Sequence, residues 1–141
     1  MLKGKKIEEV IQDDPDLVIF ENSLINNLYQ SVSLEQTKKY LESVMTKLQK
    51  ELPNAKIPII SPNPNGKMEN SLRLNYLDYI QASEQVIKTN KWAYMNSKEE
   101  IEKKLKKKNM RWADILTNDS IHPNDQGHYI WFEVIKEYFK K

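Results

Sequence analysis

Short, uninterrupted apolar runs alternate with amphipathic helical segments along this chain, and this alternation limits the fold more than any other feature. The run Asp16–Glu21 has no polar–apolar alternation, which is typical of a parallel strand buried on both faces. Such an order predicts a three-layer α/β/α fold with a short parallel sheet. Further strands are predicted over 56–61 and 92–95, helices over 5–12, 34–51, 69–89, 97–108 and 124–139, and a short helical piece over 110–116.

Turn and capping signals separate these segments. Pro15 ends the first helix, and the polar stretch Asn22–Ser33 is predicted to be a loop beyond the first strand. Ser33 and Gln36 have the spacing of a capping box that opens the second helix. Because Pro58 cannot donate to a strand ladder, the second strand is predicted to have a weakly paired side.

Composition excludes several classes of protein. The 141 residues suit one domain over 1–141, and a net charge of +2 lacks the basic excess expected of a nucleic-acid-binding protein. No apolar run approaches the roughly 20 residues of a membrane span. The three glycines exclude a glycine-rich phosphate loop. The N-terminus is too charged for a signal peptide and cysteine is absent, so a cytoplasmic location is the default expectation.

The stretch Asn118–His128 carries the clearest chemistry. Asp119 stands three residues before His122, in a turn that Pro123 closes. A carboxylate against one imidazole nitrogen fixes the tautomer and leaves the other nitrogen free to take a proton from a hydroxyl. These residues are two of the three parts of a serine-hydrolase triad. An activated serine in a strand-to-helix turn is not found in the sequence.

A second group of polar residues follows the first predicted strand. In open parallel sheets, ligands bind beyond the carboxyl ends of the strands. Asn26 lies in this loop, and its side-chain amide is suited to donate a hydrogen bond to a developing oxyanion.

Each of these features also has a structural interpretation. A lone loop asparagine or a lone Asp-x-x-His turn is more often turn chemistry than catalysis. A metal site made of Asp119, His122, Asp125 and His128 is disfavoured, because no helix face brings the two histidines together. His128 is expected to be a surface or packing residue of the last helix. The run Lys103–Lys108 is expected to be a solvated face paired with Glu99, Glu100 and Glu102, and no cofactor is expected.

Taken together, the run DLVIFE, the asparagine after it and the motif D-S-I-H-P-N-D-Q-G-H resemble the SGNH (GDSL-type) hydrolase family. The resemblance covers roughly residues 10–139. It implies an SGNH-hydrolase-like, flavodoxin-like fold in which Asn26 is the oxyanion asparagine, Asp119 the triad aspartate and His122 the triad base. Asn27 stands where the family usually has Asp, and Glu21–Ile25 lacks the usual glycine.

The first two blocks of that family are not found in this chain. They carry the Gly-Asp-Ser nucleophile turn and a glycine whose N–H binds the oxyanion, so the fold is expected to lack its first strands. Ser23, Ser61 and Ser120 are the serines nearest the expected site, and none has the sequence context of a nucleophile turn.

A missing first strand would leave Asp16–Glu21 with unpaired N–H and C=O groups. Each buried unpaired group costs about 1–3 kcal/mol, and exposed apolar edges aggregate. The edge is therefore expected to be covered by a companion chain that carries the serine, by a copy of this chain, or by its own N-terminal residues.

Three functional hypotheses follow. The first is a two-chain esterase acting on a small carboxylic ester, with Asp119, His122 and Asn26 from this chain and the serine from the companion. The second is a truncated fragment or a binding module without hydrolase activity. A self-sufficient enzyme with an unusual nucleophile is the third. No residue in the sequence identifies the acyl group.

Overall fold

Three short parallel strands and the helices between them form the described part of the chain. The computed structural model describes residues 4–22, 24–62 and 71–140. The elements are α1 (Gly4–Gln12), β1 (Phe20–Glu21), α2 (Leu24–Tyr29), α3 (Leu34–Glu51), β2 (Ile59–Ile60), α4 (Ser71–Asn90), β3 (Tyr94–Met95), α5 (Ser97–Lys107), a 3₁₀ helix (Trp112–Ile115) and α6 (Asp125–Lys140). The strand order is β1-β2-β3, with both pairs parallel. The predicted α/β fold with a short parallel sheet is confirmed.

The strands are shorter than predicted. The N–H groups of Val18 and Phe20 donate to the carbonyls of Lys56 and Pro58, at 2.8 and 3.0 Å. Pro58 has no N–H with which to return a bond to Val18, so the ladder is interrupted there. Regular strand geometry therefore begins only at Phe20, although pairing with β2 extends back to Asp16.

One face of the sheet is covered by three helices. Phe20 and Ile59 are strand partners and point to this face, where they pack against α3 and α4. Ile7 of α1 packs against the end of α3 beside Val18. The helix side chains that bury this layer are Leu41, Met45, Leu48, Val86 and Ile87.

The opposite face carries Ile60 and Met95, which are also strand partners. Met95 lines a cavity of about 230 Å³ together with Val134 and Ile135, so α6 lies beside this face. The helix α5 packs on α6 and completes the third layer. Buried contacts between these two helices involve Ile101, Leu105, Ile130 and Val134.

The prediction that β1 is buried on both faces is wrong. Leu17 and Ile19 are 42% and 44% exposed. Successive side chains of a strand point to opposite faces, so Leu17 and Ile19 point to the face opposite Phe20. The helix α6 covers that face near β3. No described element covers that face at β1, and the apolar run alone could not show this.

The prediction of a loop over Asn22–Ser33 is also wrong, because this segment contains the helix α2. Its Leu24 is buried against Tyr76 and Ile80 of α4, and the side chain of Asn27 donates to Thr37 Oγ1 at 3.3 Å. The many amide side chains hide the helical period of this segment in the sequence. Residues 69–70 of the helix predicted over 69–89 lie outside the described residues.

The predicted ion pairs of the lysine run are present in part. Lys103 lies 3.0 and 2.8 Å from the carboxylates of Glu99 and Glu100. Glu102 pairs instead with Lys98, which precedes the run, at 3.5 Å. None of the described helices has both the length and the hydrophobicity required to cross a bilayer.

Candidate active site

A tight turn between the 3₁₀ helix and α6 holds the Asp-x-x-His motif. Leu116 and Pro123 form an antiparallel bridge at its base, and the N–H of Thr117 donates to the carbonyl of His122 at 2.8 Å. Ser120 adopts a left-handed conformation (φ 59°), which reverses the chain between them. The turn thereby places the Asp119 side chain under the backbone of Ile121 and His122.

The structure brings Asp119 and His122 together. Nδ1 of His122 lies 2.5 Å from Oδ2 of Asp119. Oδ1 of Asp119 accepts from Thr117 Oγ1 at 2.6 Å and from the backbone N–H groups of Ile121 and His122 at 2.8 and 3.0 Å. Both carboxylate oxygens are engaged, so the carboxylate is held in one orientation against the imidazole.

These hydrogen bonds keep the carboxylate ionised. The hydroxyl of Thr117, followed by the imidazole and the backbone N–H of His122, holds the pKa of Asp119 well below its ordinary value. An ionised carboxylate at Nδ1 favours the tautomer that carries the proton on Nδ1. Nε2 of His122 has no hydrogen-bond partner among the described residues, and it is therefore free to accept a proton.

We expect the substitution Thr117→Val to raise the pKa of Asp119 toward its ordinary value, because it removes the largest cause of the shift. A carboxyl whose pKa is lower in the folded state stabilises the fold above its unfolded pKa, and this contribution is lost as the pH falls through the folded pKa. The variant should therefore lose stability near neutral pH, and its deficit should shrink in acid. Carboxyl titration by NMR and urea unfolding between pH 7 and pH 2 measure both effects.

Thr46→Val, at an exposed position in the middle of α3, is the matched control and should leave the Asp119 titration unchanged. An unaltered Asp119 titration in Thr117→Val would show that the backbone N–H groups and the imidazole alone hold the carboxylate.

His122 and Asn26 line the same cleft. The cleft has a volume of about 370 Å³ and opens beyond the carboxyl ends of β1 and β2. Placement beyond a strand end was predicted for Asn26, and the structure brings His122 to the same cleft although the two residues are almost a hundred positions apart in the sequence. The other residues that line the cleft are Glu21, Ile25, Tyr29, Pro62, Tyr76, Ile121, Pro123 and Trp131.

Sequence reasoning missed several of these residues. Glu21 and Tyr76 both line the cleft, where burial, and then the charge of Glu21, raise the pKa of Tyr76 above its ordinary value. In the sequence, Tyr76 and Trp131 fall on the apolar faces of their helices, a position typical of core residues. Thr117 carried a usable signal, since a hydroxyl two residues before an aspartate in a turn is suited to bond to it.

The serines near the site do not supply a nucleophile in the described residues. The hydroxyl of Ser61 is buried, lies 2.9 Å from Ser97 Oγ and accepts from the N–H of Lys98 at 2.9 Å. Ser120 is part of the turn itself, and Ser23 lies outside the described residues.

His128 is exposed on α6, as expected of a surface residue. Across residues 4–22, 24–62 and 71–140, no three histidine or carboxylate side chains come together as metal ligands would.

Comparisons with known proteins identify the fold. The profile of the GDSL-like lipase/acylhydrolase family matches residues 3–130. The acetylxylan esterase Axe2 of Geobacillus stearothermophilus superimposes with a TM-score of 0.74 at 21% identity, over 95% of this chain and 64% of that chain. LAE5, an alpha/beta hydrolase from the metagenome of Lake Arreo, superimposes with a TM-score of 0.73 at 18% identity, over 93% of this chain and 62% of that chain. This chain thus spans less than two thirds of these neighbours. No curated protein sequence matches it.

Proposed function

This chain belongs to the GDSL-like lipase/acylhydrolase family, and we propose that it supplies the proton-transfer half of a serine esterase. The observation that carries the proposal is the Asp119–His122 pair, with Nδ1 held at 2.5 Å from the carboxylate and Nε2 free beside the cleft. The nucleophilic serine would come from a companion segment outside this chain.

In the proposed mechanism, Nε2 of His122 takes the proton from the serine hydroxyl as the oxygen attacks the ester carbonyl. The side-chain amide of Asn26 donates to the developing oxyanion. The imidazolium then protonates the leaving alcohol, which departs and leaves an acyl-serine. A water molecule, deprotonated by His122, attacks the acyl-serine; the acyl–serine bond breaks, the imidazolium returns the proton to the serine oxygen, and the acid is released. Asp119 stays ionised throughout and stabilises the imidazolium.

Structures of one neighbour support these assignments. Axe2 has been crystallised as catalytic mutants in a serine, an aspartate and a histidine, and the last two stand three positions apart in its chain. Asp119 and His122 have the same spacing.

The proposed substrate is a small carboxylic ester. A cleft of about 370 Å³ accommodates a short acyl group with part of its alcohol, and its walls combine aromatic side chains with the polar pair Asn26 and His122. Acetyl esters are the first compounds to test, because Axe2 is an acetylxylan esterase.

We expect the isolated chain to show no hydrolysis of p-nitrophenyl acetate above the rate of a His122→Ala control, and no labelling by a fluorophosphonate. Mixing with the polypeptide segment encoded immediately upstream, expressed as a separate chain, should restore hydrolysis and place the label on that segment. Hydrolysis rates and mass spectrometry of the labelled chains provide the measurement.

Two outcomes would contradict the proposal. Stoichiometric labelling of the isolated chain would show a nucleophile of its own. A mixture that binds tightly but neither hydrolyses esters nor reacts with the fluorophosphonate would identify a binding module without catalysis.

A further inference from the structure

The side-chain amide of Asn26 depends on the short helix α2 for its direction. Asn26 is exposed at the cleft, and no side chain of the described residues forms a hydrogen bond with its amide. The helix α2 has only six residues, and isolated helices shorter than about 12 residues are marginal in water. Contacts with the rest of the fold must therefore hold α2, and whatever holds α2 also directs this amide.

A buried hydrogen bond ties α2 to the start of α3. Asn27 follows Asn26 and is rotated from it by about 100° around the helix, so it points into the protein and is buried. Its Nδ2 donates to Oγ1 of Thr37 at 3.3 Å, and Thr37 is fully buried. The backbone carbonyl of Asn27 accepts from the N–H of Val32 at 2.9 Å. The side chain and the main chain of one residue are thus both held.

The helix α4 supports the same unit from a second side. The hydroxyl of Tyr79 donates to the carbonyl of Val32, and Leu24 packs against Tyr76 and Ile80. Apolar contacts of this kind are not directional, so they hold α2 in place without fixing its rotation. A hydrogen bond is directional, so the bond between Asn27 and Thr37 opposes rotation of α2 about its own axis.

We propose that Thr37 is a positioning residue of the esterase reaction. By holding Asn27 it sets the rotation of α2, and thereby directs the amide of Asn26 toward the developing oxyanion. This inference rests on the proposed function. The pair is suited to a buried position, because an amide donates to the hydroxyl without bringing a charge out of water. A displacement of about 1 Å at a reacting centre is enough to lower a rate substantially.

The first test measures kcat of the complemented esterase with p-nitrophenyl acetate. Thr37→Val removes the hydroxyl and nearly keeps the shape, and it should lower kcat about tenfold with KM unchanged, because the oxyanion contact acts in the transition state. Thr37→Ser keeps the hydroxyl and should restore most of the rate. Asn26→Ala should lose about 10²-fold by itself. In that background Thr37→Val should cause no further loss, since there is no amide left to direct.

The second test uses the isolated chain and requires no catalysis. In Thr37→Val, NMR relaxation should show increased motion of the Asn26 side-chain amide, and the N–H of Val32 should exchange faster with solvent. Ile87→Val is the matched control, because it shortens a buried side chain in a core cluster that contains no residue of α2. It should leave kcat and the Asn26 amide as in the parent. Urea unfolding shows whether the two variants lose similar stability.

The outcomes separate this inference from the proposed function. Equal losses of kcat from Thr37→Val in the parent and in Asn26→Ala would show a general structural effect and overturn the inference. An unchanged kcat in Thr37→Val would also overturn it. A parent mixture that does not hydrolyse esters overturns the proposed function. The NMR experiment still decides the rest, because an Asn26 amide that Thr37→Val leaves unchanged shows that Thr37 does not position it.

Discussion

The substitution His122→Ala is expected to lower kcat of the complemented esterase by about 10⁴-fold or more, since losing the base of a triad has an effect of this size or larger. In the proposed mechanism Nε2 of His122 is the proton acceptor; the structure has Nδ1 engaged by Asp119 and places His122 in the lining of the cleft. Kinetics with p-nitrophenyl acetate at saturating companion segment measure the loss.

Asp119→Asn should cost about as much, because an amide at this position no longer selects the tautomer with the proton on Nδ1. The two residues act as one unit, so the double variant should be little slower than either single variant. If the loss of kcat in the double variant equalled the product of the two single losses, the two side chains would act independently, in contradiction to the 2.5 Å contact.

His128→Ala is the matched control. It removes the chain's other histidine, which is exposed on α6 and does not line the cleft, and it should leave kcat unchanged. Equal losses in His122→Ala and His128→Ala would point to a general effect on folding. Full activity of His122→Ala in a mixture that still binds its companion would exclude residue 122 as the base.

The Asp119–His122 geometry could be predicted because it is local. Both residues lie in one turn, and the signals that build the turn, Pro123 and the capping Asn124, are adjacent in the sequence. The parallel sheet was predictable for a similar reason, because each apolar run and each helical period is a pattern within a short stretch of consecutive residues.

Features that depend on distant neighbours were not predictable. The apolar run Asp16–Glu21 has the pattern of a strand buried on both faces, and only the tertiary structure shows that no described element covers Leu17 and Ile19. Likewise, the cleft includes Tyr76 and Trp131, whose spacing in the sequence is that of ordinary core positions. A helical period shows that a residue faces inward but does not show whether it meets another side chain or a cleft.

Gly127→Ala is expected to destabilise the chain by about 3 kcal/mol, the upper part of the usual range for overpacking. A Cβ at this position would lie 2.2 Å from the backbone carbonyl oxygen of Ile115 and 3.0 Å from Cβ of Pro123. The first contact is with backbone, so relief requires α6 to move away from the 3₁₀ helix. Urea unfolding of the isolated chain measures the loss.

The sign of this effect is informative because helix propensity alone predicts the opposite result. Alanine stabilises a helix interior by about 1 kcal/mol relative to glycine. If the neighbours of the new Cβ could move aside without cost, the variant would therefore be more stable than the parent. Gln126→Ala, at the neighbouring exposed position of α6, is the matched control and should change the free energy of unfolding little.

The same substitution should disturb the Asp–His turn. Asn124 connects it to α6: its N–H donates to the carbonyl of Ile115 at 3.0 Å, and its Oδ1 accepts from the N–H of Gly127 at 2.9 Å. Moving α6 away from Ile115 would strain both bonds and, through Pro123, displace His122. In Gly127→Ala, we therefore expect the NMR signal of the Nδ1 proton to shift or broaden. An unchanged signal in a variant as stable as the parent would show that the contact with Ile115 relaxes without moving the turn.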